Sequence, residues 1–460
     1  MAAPRQVEDS EGGAGPSNTQ KVAAFASSLT FDDLPADVVH AARRSILDWL
    51  GVSIAGRSHE TARGALQAMR HVGGSGDATV IGEQDGMSPY AATLVNGVFA
   101  HVLDWDDSIY PTRMHAGAFV LPPLLAEGES RDASGRDLVL GFVTAFEIAH
   151  RLMLAMYPDY GVKRWHGSGI AGAAAVGAAV GSMMRLDLQQ VTHAIGIGAS
   201  GGVGMLSTLG TSAKSLIMGN AGATGLQAAY LAREGWTSPE DMIGEGGGFL
   251  KLYADDPKYD EVVDGLGSRW YVLDNGFKPY ACGMVAHAAI DVSRQLRALA
   301  PAGSKLSSMR LRVSPETMAM MGNPDPGTGL QSKFSARYGA AVAWVDGDVG
   351  PAAFEDAAVG NADYQATRVL IEMIPDDSLT QYEAHGEVET EDGWTGSVHV
   401  PHASGVAENP FTDDQLLAKF SSACALGDYR GSDQLAATVM AVDDISVRDL
   451  VAAIQQGFRP

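Results

Sequence analysis

The chain has 460 residues, 46% of them apolar and 19% charged, with a formal charge of −23. That length exceeds one ordinary hydrophobic core, so two domains are expected, and the acidity argues against nucleic acid, whose phosphates would be repelled. Two cysteines, Cys282 and Cys424, offer neither a disulfide framework nor a metal-ligand spacing, and a cytoplasmic location is expected.

The first 20 residues are rich in Gly, Ser and Pro, are acidic, and read as a disordered tail. Apolar residues then recur every three or four positions in "TFDDLPADVVHAARRSILDWLGVSIAG" (30–56), with Asp and Pro near the start and Gly after the end. The segments 88–105, 133–156, 187–200 and 220–235 repeat this helical spacing, and their Gly/Ala load predicts helices meeting backbone to backbone. No apolar run reaches the roughly 18 residues that span a bilayer. The nearest, "GSGIAGAAAVGAAVGSMM" (167–184), lacks bulky side chains and reads as a buried helix, so no membrane is expected as a partner.

After about residue 270 the pattern changes. "SSMRLRVSP" (307–315) and "YEAHGEVETEDGWTGSVHVP" (382–401) alternate as strands do, with a turn at "EDGW", and "RYGAAVAWVDG" (337–347) between them is helix-like. "ENPFTDDQLLAKFSSACAL" (408–426) returns to helix, with Thr412 as its N-cap. The expected fold is mainly α: a helical domain over 21–275, an inserted α+β lid domain over 276–403, and a return to the helical domain over 404–460.

Four stretches concentrate titratable groups. "AHVLDWDDSIYPTRMHAG" (100–117) holds three aspartates and two histidines; a solvated loop, an acid/base centre and a metal site are the readings it allows. It has none of the usual metal-binding spacings, and no metal is expected. "KRWHGSGIAG" (163–172) puts His166 just before a small-residue helix, whose N-terminus favours anions. "GTSAKSLIMGNAGATG" (210–225) lacks the spacing of a phosphate loop but brings Lys214 into a Gly-rich helix. "FKPYACGMVAH" (277–287) carries Lys278, Tyr280 and His287.

Together these stretches resemble the MmgE/PrpD family, which includes 2-methylcitrate dehydratases, cis-aconitate decarboxylases and an iminodisuccinate epimerase. "NGVFAHVLDWDDS", "RWHGSGIAG", "GTSAKSLIMGNAGATGLQAAYLA", "FKPYACGMVAH", "SKFSARYGAAVAWVDG" and "ENPFTDDQLLAKF" are similar to family segments in the family's order, from about residue 21 to 420. Three positions depart from the pattern: His115-Ala116-Gly117 stands where His-Pro-Ser is usual, Ile217 where a polar residue often follows the lysine, and Gly283 where some decarboxylases have histidine.

The resemblance implies a homodimer without cofactor, acting on a small di- or tricarboxylic acid as a dehydratase or decarboxylase. An epimerase or isomerase using the same carbanion, and a non-catalytic dimer, are the alternatives. The family's reactions make or protonate a carbanion beside a carboxylate, which calls for positive charge and a proton carrier. Residue by residue, the match implies that Lys214, His166 and Lys278 meet that charge and that Asp104 and His115 move the proton. Tyr110 and Arg113 are expected as substrate contacts from the same loop, with Tyr280 and His287 from the fourth stretch.

Overall fold

The computed structural model describes residues 15–458, and side-chain caps set where many of its helices begin. Of the expected tail, residues 1–14 lie outside the described residues. The rest is ordered: Ser17 and Gln20 form a capping box that starts helix α1 (Asn18–Ser28). There follow α2 (Ala36–Gly56), α3 (Glu60–Val72), α4 (Pro89–His101), α5 (Ala116–Arg131) and α6 (Gly135–Met156). The short α7 (Asp159–Val162), then α8 (Gly167–Met183), α9 (Leu188–Gly201) and α10 (Ala213–Arg233) complete this first helical layer.

The small residues do what their pattern predicts. A Cβ on Gly97 of α4 would lie 2.7 Å from the Cα of Gly219 on α10, and one on Gly219 would lie 2.4 Å from the Leu94 carbonyl oxygen. Only glycine allows this contact, which lays the lysine-bearing start of α10 beside the helix that runs into the 102–115 loop. One expectation fails. Helix α6 is long and apolar enough to cross a bilayer by length and composition, although its best 18-residue window is 94% buried within the fold. It contains Glu147 and Arg151, and the Arg151 Nη2 donates to the carbonyls of Gly265 and Arg269 at 3.0 Å each. Those two charges interrupt the apolar run in the sequence.

Beyond α11 (Phe249–Tyr253), helix α12 (His287–Leu299) leads into a four-stranded sheet of order β2-β1-β3-β4. Strand β1 (Leu306–Val313) pairs parallel with β2 (Ile371–Pro375) and antiparallel with β3 (Ala384–Thr390), which pairs antiparallel with β4 (Thr395–Val400). The turn joining β3 to β4 is the expected "EDGW", with Gly393 at φ +82°. Strand β2 was not anticipated; five residues of mixed burial give too short an alternation to read.

Between β1 and β2 lie α13 (Pro315–Met321), α14 (Gly329–Ser332), α15 (Ala336–Asp346), α16 (Asp356–Val359) and α17 (Ala362–Arg368). Helices α12 and α15 pack on the sheet, α12 so closely that a Cβ on Gly386 of β3 would lie 2.2 Å from Val292. Helix α18 (Asp413–Leu426) opens with the expected Thr412 cap, in a capping box with Gln415. With α19 (Ser432–Met440) it packs against α2, while α20 (Val447–Gln456) packs against α5. The chain after the sheet thus returns to the first helices. That 276–403 moves as a lid is a proposal, taken up below.

Candidate active site

The 102–115 loop leaves α4 and returns into α5 almost wholly buried. Two of its residues take left-handed backbone, Asp104 at φ +53° and Arg113 at φ +57°, a conformation that is sparsely populated without glycine and clusters at functional sites. Ser108 and Gly276 exchange backbone hydrogen bonds of 2.9 and 3.1 Å, tying the loop to the segment that carries Lys278. The first helical layer and the α13–α14 region meet here around a small cleft of about 50 Å³.

Six of the nine expected residues line this cleft: Asp104, Arg113, His115, His166, Lys214 and Lys278. Asp104 is 2% exposed and sits between the two ammoniums, its Oδ1 2.9 Å from Lys214 Nζ and 2.5 Å from Lys278 Nζ. Lys278 also donates to the Asp104 carbonyl at 3.1 Å. Burial would raise the Asp104 carboxyl, but Lys214 and Lys278 outweigh it and hold the group well below the carboxylate range. Asp104, expected to move the proton, thus stands as a carboxylate held between two ammoniums. For Lys214, burial lowers the pKa despite Asp104, whereas for Lys278 the aspartates prevail over burial and raise it.

The imidazoles are neutral. Burial, then Lys214 and His101, bring His166 down to about 3; burial holds His115 well below its ordinary value despite Asp106. His115 Nδ1 lies 2.9 Å from the Asp107 carbonyl oxygen, which only accepts, so Nδ1 carries the proton and Nε2 is left as the basic nitrogen. Behind it, His101 Nδ1 lies 2.7 Å from Asp106 Oδ2, and the His101 and His115 rings stand 4.7 Å apart. His101, Asp106 and His115 lie close enough together for a metal ion. His101 Nδ1 pairs with Asp106 Oδ2 and His115 Nδ1 with the Asp107 carbonyl, His101 Nε2 and Asp106 Oδ1 have no hydrogen-bond partner, and the Lys278 ammonium stands 3.9 Å from Asp106 Oδ1, a charge that opposes a cation.

Three expected contacts lie elsewhere. The Tyr280 hydroxyl donates to Asp291 at 2.5 Å and accepts from Arg294 at 2.9 Å. His287 starts α12 fully buried, its Nε2 donating to the Cys282 carbonyl at 3.3 Å. Tyr110 packs edge-on against Tyr382. Each sits near a lining residue in sequence, but its side chain is committed to packing behind the cleft. Arg113 does line the cleft, though its guanidinium donates to Gln381 at 2.6 Å.

Sequence reading missed Ser108, Thr112, Tyr160, Trp165, Met320, Met321 and Phe334, all of which line the cleft. It also missed Lys333, whose buried Nζ donates to the carbonyls of Leu103 at 2.7 Å and Ala281 at 2.8 Å, clasping the two loops. The "SKF" segment was visible, but no spacing linked it to the other stretches. The three departures gain physical reasons. A Cβ at 117 would lie 3.0 Å from Asp107 Oδ1, and the Gly117 N–H donates to that carboxylate. Ile217 packs over Gly169 and Gly204 behind His166, and the space beside Gly283 is filled by Met321.

Residues 20–262 match the MmgE/PrpD N-terminal domain and residues 280–441 the MmgE/PrpD C-terminal domain. The chain belongs to the MmgE/PrpD family. Among its relatives, a cis-aconitate decarboxylase of Aspergillus terreus is 29% identical over 297 residues, 62% of this chain and 61% of that protein. The cis-aconitate decarboxylase of Mus musculus is 28% identical over 87% of this chain and 86% of its own length. That of Homo sapiens is 26% identical over 96% and 95%.

Proposed function

We propose that the protein is a cofactor-independent lyase that removes water or carbon dioxide from a small polycarboxylic acid through a carbanion beside a carboxylate. One observation carries this reading: two buried ammoniums paired with one aspartate line the same small cleft as the imidazoles of His115 and His166. Charge that grows on a carboxylate as an adjacent carbon becomes a carbanion is stabilised by Lys214 and Lys278, which are already in place and need no reorganisation. An arriving carboxylate also adds negative charge beside His115 and His166. It raises their basicity at the step that needs it.

In dehydration, an imidazole nitrogen takes the proton from carbon and the resulting imidazolium gives it to the departing hydroxyl, so water leaves and the imidazole is restored. In decarboxylation, an imidazole takes up a proton from solvent as the negatively charged substrate arrives, the carbon–carbon bond breaks, carbon dioxide departs, and the electron pair left on carbon takes that proton, which restores the neutral imidazole. The names of the relatives favour the second branch. The test is incubation with citrate, cis-aconitate and other di- and tricarboxylic acids in deuterated water, followed by mass and NMR analysis. Loss of water or carbon dioxide supports the reading, exchange alone moves it to an epimerase, and binding without either makes the protein a non-catalytic member.

A further inference from the structure

Asp106 has no part in the mechanism above, yet it keeps a charge in the interior. It is 1% exposed, and its Oδ2 lies 2.7 Å from His101 Nδ1 and 3.5 Å from His115 Nδ1. A carboxylate only accepts, so His101 Nδ1 donates to it, which holds Asp106 in place beside His115. Burial would raise the Asp106 carboxyl, but His101, His115 and Lys278 outweigh it and keep the group ionised. The neighbouring Asp107, raised to about 8 by burial and then by Asp106 and Asp48, keeps its proton instead.

The two imidazoles of the cleft therefore differ. His115 is faced by the Asp106 carboxylate, and from the other elements around it by Lys278, His101 and Lys214. His166 is faced first by Lys214 and then by His101, with Asp104 a weaker influence. Among the described residues no carboxylate pairs with His166, whose buried Nδ1 has no partner. An imidazolium formed at His115 would find a buried counter-ion already in place, whereas one formed at His166 would meet the Lys214 ammonium.

We propose that Asp106, held by His101, is a positioning residue that makes His115 rather than His166 the imidazole that carries the proton. When a dicarboxylate binds at Lys214 and Lys278, His115 Nε2 takes a proton from solvent and Asp106 balances the imidazolium. In decarboxylation that proton passes to carbon and the ring is neutral again. The proposal rests on the reading of the cleft as a lyase site and names the residues that place its proton.

The test is calorimetric titration of the full chain, freed of metal by chelation, with succinate, a dicarboxylate with no hydroxyl to lose. Buffers of different ionisation enthalpy report the protons taken up. At pH 6.5 Lys333 and Asp107, both at about 8, are already protonated. Expected is a proton taken up on binding, lost in Asp106→Asn and in His115→Gln and kept in His166→Gln. Asparagine still accepts from His101, so Asp106→Asn removes the charge and keeps the shape. It is expected to lower kcat on cis-aconitate or citrate about 10²-fold with KM little changed. No succinate binding, binding without uptake in the wild type, or uptake kept in Asp106→Asn or His115→Gln overturns the proposal. If Asp106→Asn does not fold, uptake lost in His115→Gln and kept in His166→Gln supports it and the opposite pattern overturns it. Asp106-dependent uptake in a protein that turns over no acid would leave the proposal standing and remove the lyase reading. Turnover with uptake unmoved by Asp106→Asn would do the reverse.

Discussion

Asp104 shows how one buried residue ties chemistry to stability. Replacing it by asparagine leaves the ammoniums of Lys214 and Lys278 facing each other without their shared anion. Breaking such a buried group typically costs about 3–5 kcal/mol, so Asp104→Asn is expected to lower the denaturation midpoint markedly as well as abolish turnover. A normal midpoint would contradict the pairing. The imidazoles make a second claim. With His166 at about 3 and His115 held low by burial, kcat/KM is expected to show no histidine limb between pH 7.5 and 5.5, and a limb near 6.5 would contradict neutral rings.

His287 tests the same effect through stability. Its native pKa of about 3, set by burial and then Lys278, lies below its unfolded value. Between these pH values the unfolded chain binds a proton that the native ring refuses, so His287 lowers stability as pH falls from 6.5 toward 3. His287→Gln is expected to make the acid-side loss of stability shallower, as read from urea midpoints at pH 7.5 and 5. An unchanged slope would contradict it.

At the scale of elements, α18 matters although it lines no part of the cleft. Its Lys419 donates to Asp48 of α2 and to the carbonyl of Trp105, both at 2.6 Å, so the returning helix holds the loop that bears Asp104. Lys419→Met leaves Asp48 buried and unpaired and is expected to cost about 3–5 kcal/mol, whereas Lys419→Met with Asp48→Asn recovers most of it. Urea denaturation of both variants checks this. A double variant no more stable than the single one would show that the pair is not what is lost.

Helices α2, α4, α6, α8, α9, α10, α15 and α18, three of the strands and the Thr412 cap were legible in the sequence because each depends on local spacing and turn chemistry. The lysine–aspartate centre was legible as a set of stretches, not as a geometry. What sequence could not reveal was direction. Tyr280 and His287 share a segment with Lys278, yet their side chains point to Asp291 and Cys282. Met320 and Phe334 lack any charged signature and enter the cleft only because α13 and α14 fold over it.

In the whole molecule, the cleft is walled on one side by the first helical layer and on the other by residues 278–334. We propose that the segment 276–403 opens to admit substrate and closes to exclude water, which strengthens the charge interactions inside. Protection of 315–335 from hydrogen exchange is expected to rise when a substrate binds; equal exchange with and without it would contradict a lid. Turnover is also expected to survive exhaustive chelation, since the Lys278 ammonium stands where a metal at His101, Asp106 and His115 would be repelled. Activity lost to EDTA and restored by one metal would overturn this.

The central claim is that Lys214 and Lys278 stabilise a carbanion beside a carboxylate. Its most direct test is deuterium incorporation at the carbon next to a carboxylate, followed by proton NMR for the wild type and for Lys214→Ala with its circular dichroism intact. The account expects incorporation or elimination in the wild type and a loss of about 10²–10³ in rate in the variant. A folded Lys214→Ala that exchanges or turns over at the wild-type rate would contradict it.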